Sequence, residues 1–415
     1  MKLALFYHSL ISDWNHGNAH FLRGVVGELL ARGHQVRVFE PADGWSAANL
    51  VCDHGEDALA AFHAAYPRLA SERYGMVLDL DRALDGADAV IVHEWNEPEL
   101  VAQIGRHRAA GGRYALLFHD THHRAVTAPH EIARYDLRHY DGVLAFGRVI
   151  RDRYTDRGWA ARAWTWHEAA DTRMFWPRLA LGGAGSQGVG SPTTLPAERG
   201  ATPVGSPVHS GDLVWIGNWG DGERSAELGA MLIEPVRRLG LRALVHGVRY
   251  PASARRALAV AGIRYAGWLP NFEVPQVFAR HRVTIHVPRR PYVEALPGIP
   301  TIRVFEALAC GIPLISMPWH DDEALFSSGR DYLVASNPDE MRRSLRAVLH
   351  DRVLATELAR RGRQVILARH TCAHRVDELV AILAEIARPP APPRPAGSAV
   401  GIPSPRPSAS RIDRS

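Results

Sequence analysis

Pro300-Thr-Ile-Arg-Val-Phe-Glu-Ala-Leu-Ala-Cys-Gly-Ile-Pro-Leu-Ile-Ser316 reads as a short helix, a glycine stop and a buried strand. Val304, Phe305, Leu308 and Ala309 recur at helical spacing and form one apolar face. Gly311 stands where a helix ends in a left-handed residue. Ile312–Ile315 is a short apolar run of the kind found in a parallel strand covered on both faces. By periodicity Glu306 is an ordinary helical glutamate, and base rates place such a residue in solvent.

The same alternation extends in both directions from this stretch. Toward the N-terminus, Lys2–Tyr7 reads as a strand, His20–Arg32 as an amphipathic helix stopped at Gly33, and His34–Phe39 as a second strand. A βαβ opening predicts a parallel sheet with right-handed crossovers. Residues 41–87 are less regular, with one helix near Asp57–Tyr66. Strands follow at Ala89–His93, Tyr114–Phe118, Gly142–Phe146 and Ala163–Trp166, with helices between them. Residues 181–211 are rich in Gly, Ser, Pro and Thr and bury too little to order themselves. A second alternating set begins at Asp212, with strands at Leu213–Ile216, Ala243–His246, Ile263–Ala266, Val283–Val287, Pro313–Ser316 and Tyr332–Val334. Helices at Asp339–His350, Val353–Arg363 and Arg375–Ala387 complete it, and the Pro/Ser/Arg-rich residues 389–415 read as a disordered tail.

The string Phe305-Glu-Ala-Leu-Ala-Cys-Gly-Ile-Pro-Leu-Ile315 resembles the Glu-Ala-x-Ala-x-Gly-x-Pro-hydrophobic-Ile signature of GT-B glycosyltransferases, nearest the glycosyltransferase-4-like and spore-maturation-type (CgeB-like) group. The fold class expected is therefore α/β, a GT-B arrangement of two Rossmann-like doubly wound domains facing across a cleft. The resemblance implies an acceptor domain over 1–170, a linker with a disordered insertion over 171–211, and a nucleotide-sugar donor domain over 212–388, its last helix crossing back to the first domain. It also implies that Glu306 holds the ribose of the donor.

Composition narrows the partners. The 415 residues suffice for two domains, and an apolar fraction of 46% is ordinary for a globular protein. Residues 388–415 carry +4 of the formal +5, so the folded body is nearly neutral and shows no nucleic-acid footprint. Lys2 is the sole lysine, so arginine abundance alone is no sign of phosphate binding. Cys52, Cys310 and Cys372 lie far apart, without metal-ligand spacing, and fit a reducing, cytoplasmic setting. The N-terminus is too short in apolar length for a signal peptide, and no run approaches the roughly 18 apolar residues of a membrane span.

Leu213-Val-Trp-Ile-Gly217-Asn218-Trp-Gly-Asp-Gly-Glu-Arg224 is strand, glycine-rich turn and helix start, where backbone N–H groups can approach a phosphate. It resembles the donor-diphosphate loop of the family. With no lysine in this half, a second cation must be arginine, and Arg224 and Arg249 are the candidates, able to grip a diphosphate bidentately. Trp268 stands where relatives seat the base, as a stacking wall or as an interdomain packing residue. The Gly298-Ile299-Pro-Thr301 turn before the Glu306 helix offers amides to an anion. The family pattern has a first glutamate eight positions before the second; here that position is Gly298.

In the N-terminal half, His119-Asp120 and His93-Glu94 follow strands and are the catalytic or acceptor-orienting candidates. His16-Gly17-Asn18 lies where relatives place the loop on which donor and acceptor meet. The histidines around Asp120 also invite a metal reading, but their spacing is not that of a helical zinc site, and no metal is expected. In the linker, His167 and Glu168 are candidates to face the cleft. The expectation is a metal-independent, retaining glycosyltransferase. Its donor is a nucleotide-diphosphate sugar, its acceptor a sugar or other small molecule, and it uses no other cofactor and binds no nucleic acid. A nucleotide-sugar 2-epimerase and a non-catalytic nucleotide- or sugar-binding paralogue are the alternatives.

Overall fold

A computed structural model of the chain describes residues 1–178 and 209–388. The expected tail over 389–415 lies outside the described residues, as does nearly all of the expected insertion. The first domain is built on seven strands: β1 (Lys2–Phe6), β2 (Gln35–Pro41), β3 (Glu72–Tyr74), β4 (Ala89–His93), β5 (Ala115–Asp120), β6 (Gly142–Ala145) and β7 (Ala163–Thr165). The second has six: β8 (Gly211–Ile216), β9 (Ala243–His246), β10 (Arg264–Tyr265), β11 (His281–His286), β12 (Leu314–Ser316) and β13 (Leu333–Val334). Strand orders are β3-β2-β1-β4-β5-β6-β7 and β10-β9-β8-β11-β12-β13, with every pair parallel.

In both sheets the order in which the chain adds strands reverses between two neighbours, β1 and β4 in one, β8 and β11 in the other. A crevice opens at such a switch point, beyond the carboxyl ends of the strands. The loops leaving these four strands, 7–18, 94–97, 217–224 and 287–289, carry most of the polar residues considered below.

The helix over Ile302–Cys310 ends at Gly311, whose φ of +65° is the left-handed conformation the sequence asks for. Glu306, however, is fully buried rather than solvated. This helix packs in an apolar cluster shared by both domains, which joins Val304, Phe305 and Leu308 to Leu5, Phe21 and Trp166. The last helix, Cys372–Ala387, returns to the first domain and lies against the helix over Ala19–Ala31. There Gly24 permits the approach: a Cβ on it would sit 2.4 Å from Cys372 Sγ and 2.7 Å from Asp171 Cβ. Backbone bonds Ala170 N–H to His370 O (2.9 Å) and Cys372 N–H to Ala170 O (3.0 Å) secure the crossing.

Three elements have no clear sequence signal. Edge strand β3 is Glu-Arg-Tyr, without apolar alternation. The helix over Trp45–His54 buries only Ser46, Ala47 and Leu50. The short helix over Arg290–Ala295 buries no residue. Strand β5 also runs two residues past Phe118, which takes His119 and Asp120 into the sheet.

Candidate active site between the two domains

A cavity of about 610 Å³ lies between the opposed sheet edges. The first domain lines it with Asp13 to Asn18, Trp45, Asn49, Trp95, Thr121, His122 and Glu168; the second with Gly217, Asn218, Asp221, Arg224, Arg249, Trp268, Arg289, Tyr292, Thr301 and Arg303, among others. Of the residues singled out in the sequence, His16, Gly17, Asn18, Gly217, Asn218, Arg224, Arg249, Trp268 and Thr301 line it. His93, Glu94, His119, Asp120, Gly298, Ile299 and Glu306 do not.

The second domain's wall is cationic. Arg224 follows the Gly217–Gly222 turn, and its guanidinium donates to Asn218 O (3.1 and 2.6 Å) and Val287 O (3.1 Å). Among the described residues it has no carboxylate partner. Burial, aided by Arg289 nearby, lowers its pKa to about 10, so it keeps its charge at neutral pH. Arg249 is a non-glycine residue at φ +61°, a strained backbone of the kind found at ligand sites, and it pairs with Asp221 at 3.2 Å. The turns beneath these arginines are in near contact: Gly247 has φ +151°, and a Cβ on it would lie 2.0 Å from Gly217 O.

Two further arginines on this wall are absent from the sequence-derived set. Arg289 follows β11 and pairs with Glu223 at 3.2 Å. Arg303, in the first turn of the helix over Ile302–Cys310, pairs with Glu306. Their positions at a strand end and a helix start are the signals that point to them. Thr301 N-caps the same helix, and its hydroxyl is held 2.9 Å from His286 Nε2, whose Nδ1 meets Ser316 Oγ at 2.8 Å. Burial lowers the His286 pKa to about 3, so the ring is a neutral spacer. Thr301, Ile302 and Arg303, at the start of this helix, line the cavity with Arg224 and Arg289, which sets the positive end of the helix dipole beside those cations.

The turn before that helix behaves differently from the sequence expectation. The Gly298 N–H donates to His320 O (2.5 Å) and the Ile299 N–H to Leu296 O (3.2 Å), so neither amide is offered to the cleft. Ile299 is buried in the first domain's core beside Phe146. Glu306 lies beneath the wall, 2.7 Å from His20 Nδ1 but off the axis of a hydrogen bond, and paired with Arg303.

The four candidates at the ends of β4 and β5 lie beneath the floor, and three support lining residues. His93 Nε2 is 3.0 Å from Thr121 Oγ1, which in turn accepts from Asn18 Nδ2. Asp120 accepts the His122 N–H (2.9 Å) and the Tyr154 hydroxyl (2.7 Å). Glu94 pairs with Arg124, whose guanidinium stacks 4.2 Å from the Trp95 ring. His119 packs edge-on to Trp166 at 4.9 Å, and both its ring nitrogens are unpartnered. Burial raises the carboxyl pKa values of Glu94 and Asp120 and lowers those of His93, His119 and His122. No cluster of three or more potential ligands fit to hold a metal ion occurs among the described residues.

Glu168 stands on the wall with no hydrogen bond or ion pair to the protein among the described residues. Burial, reinforced by Glu306, raises its pKa to about 8. It is therefore a neutral carboxylic acid at pH 7, able to donate a hydrogen bond. Trp268 donates its indole N–H to Asp13 Oδ1 at 2.9 Å and packs tilted against His54, ring centroids 4.6 Å apart. It is both an interdomain contact and part of the wall. Trp14, Trp45 and Trp95 complete the first domain's side, and no spacing in the sequence marks them.

Two Rossmann-like domains with their switch points facing one cavity are the GT-B fold of glycosyltransferases, and solved structures of that class superpose along nearly the whole chain. Sucrose-phosphate synthase of Thermosynechococcus elongatus matches at TM-score 0.59 and 14% identity, covering 93% of this chain and 99% of that one. Anabaena HepE in complex with UDP-glucose matches at TM-score 0.60 and 12% identity, covering 93% and 100%. T4 phage BGT in complex with UDP and Mn2+ matches at TM-score 0.54 and 11% identity, covering 94% and 100%. At these identities the likeness is one of fold. Residues 224–381 match the family model described as "Glycosyl transferase-like", a span that begins at Arg224 and takes in Arg249, Arg289, Arg303 and Glu306. No curated protein matches the chain in sequence. No helix among the described residues is long and apolar enough to cross a membrane.

Proposed function

We propose that the chain is a glycosyltransferase that takes a sugar from a nucleotide-diphosphate donor held by its second domain and passes it to an acceptor held by its first. The observation that carries this reading is Arg224, a guanidinium on the cavity wall without a carboxylate partner among the described residues, joined there by Arg289, Arg303 and a helix N-terminus. Cations and amides so placed suit a diphosphate. The UDP and UDP-glucose bound in similarly folded structures support the same reading.

In the reaction, a bond forms between the acceptor oxygen and the anomeric carbon as the bond from that carbon to the phosphate oxygen breaks. The acceptor proton goes to the departing diphosphate. Arg224, Arg289 and Arg303 stabilise the charge on that leaving group, the kind of preorganised electrostatics that supplies much of an enzyme's rate. Protonated Glu168 donates a hydrogen bond to an oxygen of the transferred sugar. Asp120, Glu94 and His93 act as positioning residues, through His122, through Arg124 and Trp95, and through Thr121. Four arginines on the wall support a reaction that needs neither metal nor cofactor. The glycosyltransferase-4-like, CgeB-like resemblance of Phe305–Ile315 favours retention of configuration. Three free cysteines favour a cytoplasmic setting.

Calorimetric titration with UDP and GDP, followed by donor hydrolysis and transfer assays over a set of nucleotide sugars, tests the proposal. Binding of one nucleotide, weakened at least tenfold by Arg224→Met, is expected. A wild-type protein that binds neither would overturn it, and binding without turnover would favour the non-catalytic paralogue.

A further inference from the structure

The first domain's end of the cavity differs chemically from the arginine-lined end. Trp14, Trp45 and Trp95 form an arc there, with ring centroids 6.3 Å apart for Trp14 and Trp45 and 6.5 Å for Trp45 and Trp95. The rings are held firmly. His8 stacks on Trp45 at 4.6 Å, Arg124 stacks on Trp95 at 4.2 Å, and the Trp14 indole N–H donates to Asp53 at 2.9 Å. Trp45 is nonetheless 37% exposed, a large apolar ring left open at the rim.

Asn15, Asn18 and Asn49 line the same cavity, side chains that both donate and accept hydrogen bonds. Among the described residues the two cations nearest this end are already paired, and the Asp53 carboxylate is taken by the Trp14 indole. Asp13 is paired with Arg23 at 3.0 Å, and Arg124 with Glu94. Burial keeps His8, His16 and His122 neutral, the first with a pKa of about 4. Nothing here matches an anionic acceptor. Flat apolar faces and neutral amides lining one cavity suit a ligand that has apolar C–H faces and a rim of hydroxyls.

We infer that the acceptor is a neutral pyranose chain, seated on the Trp14–Trp45–Trp95 arc with at least one sugar unit reaching the rim at Trp45. This inference rests on the glycosyltransferase reading and names the acceptor class of the same cavity. Sugar rings stack their C–H faces on indole, and the amides of Asn15, Asn18 and Asn49 select among hydroxyl positions. Exposure of Trp45 at the rim points to an acceptor longer than a monosaccharide.

The test uses the full chain saturated with UDP and follows tryptophan fluorescence on titration with cellotetraose, maltotetraose, mannotetraose and chitotetraose. Saturable quenching by at least one is expected. Trp45→Ala should weaken that saccharide about tenfold while UDP affinity changes less than twofold, and Trp45→Phe, which keeps an aromatic face, should restore most of it. If UDP binds the wild type and none of the four saccharides does, the acceptor inference is overturned while the donor reading stands. Binding of undecaprenyl phosphate or single-stranded DNA in place of the saccharides overturns it in favour of a lipid or a nucleic acid. Failure of UDP itself to bind removes the transferase reading, and this inference with it.

Discussion

Asp13 and Trp268 join the two domains across the mouth of the cavity. The Trp268 indole N–H donates to Asp13 Oδ1 at 2.9 Å, and the other oxygen, Oδ2, takes the Asn271 amide at 2.9 Å and Arg23 at 3.0 Å. One carboxylate thus ties the β1 loop to the β10 loop while neutralising a buried arginine. Asp13→Ala leaves that arginine unpaired, and unpairing a buried charge costs roughly 3–5 kcal/mol. Trp268→Phe keeps an aromatic ring and loses chiefly the charge-assisted hydrogen bond, about 1.5–3 kcal/mol. Urea unfolding of both variants should rank them in that order. The reverse order would mean that Trp268 packing, not the Asp13 charge, holds the domains together.

The second prediction concerns the helix that crosses back. Gly24→Ala places a methyl within 2.4 Å of Cys372 Sγ, at the start of the returning helix, and 2.7 Å of Asp171 Cβ, at the start of the linker. Overpacking of this kind costs typically about 1–3 kcal/mol. The change should lower the melting temperature, and Cys372→Ala in the same chain should recover part of the loss by removing the sulfur. No recovery would place the strain at Asp171.

Glu168 gives stability a pH dependence whose sign follows from its burial. Its folded pKa of about 8 stands above the ordinary 4.5, so between those values the folded state holds a proton that the unfolded state has released. Stability therefore falls as pH rises from about 4.5 through about 8, by an amount on the order of a few kcal/mol. Glu168→Gln removes the titration, so the variant should gain stability over wild type progressively as pH rises and match it near pH 4.5. Parallel melting curves from pH 5 to 9 check this. A constant offset would show that the carboxyl does not titrate in that range.

The two sheets are legible in the sequence because doubly covered parallel strands become unbroken apolar runs. Ala89–Val92 and Ala243–Val245 show this, each bracketed by polar turns. Strand β3 is not legible because an edge strand of Glu-Arg-Tyr buries little and so needs no apolar pattern. In the site, glycine and arginine at Gly217–Arg224 announce themselves through backbone freedom and charge. Depth does not. A strand two residues longer than its apolar run draws His119 and Asp120 into the sheet and leaves Thr121 and His122 at the cavity. Glu306 is hidden in the same way, since the exposure of one helical position depends on what the other domain lays over it. Trp14 and Trp95 come from separate loops and Trp45 from the start of a helix, and the three meet only after folding.

Metal dependence follows from the wall's own charge. If the arginines suffice to neutralise a diphosphate, excess EDTA should leave both UDP affinity and transfer rate unchanged. Loss of activity restored by added Mn2+ or Mg2+ would show that a cation completes the site.

The last prediction separates two roles for Glu306. Its carboxylate is fully buried, paired with Arg303 and 2.7 Å from His20, while Arg303 itself lines the cavity. One role is to hold Arg303 in place; the other, implied by the family resemblance, is to bind the ribose directly. Glu306→Gln keeps the helix propensity nearly intact. It should weaken UDP in either case, by roughly ten- to a hundredfold if a charged hydrogen bond of about 1.5–3 kcal/mol is lost. Arg303→Met should weaken UDP as well. The double variant decides. If Glu306 acts by holding Arg303, the second substitution adds little once the first is made, and the cycle shows a coupling of roughly 0.5–3 kcal/mol. If Glu306 contacts the nucleotide independently, the two losses add. Melting curves on all four proteins accompany the titrations, because both variants break a buried pair and the wild-type fold must persist for the affinities to be compared. With geometry that puts Arg303 between Glu306 and the cavity, the expected result is the coupled one.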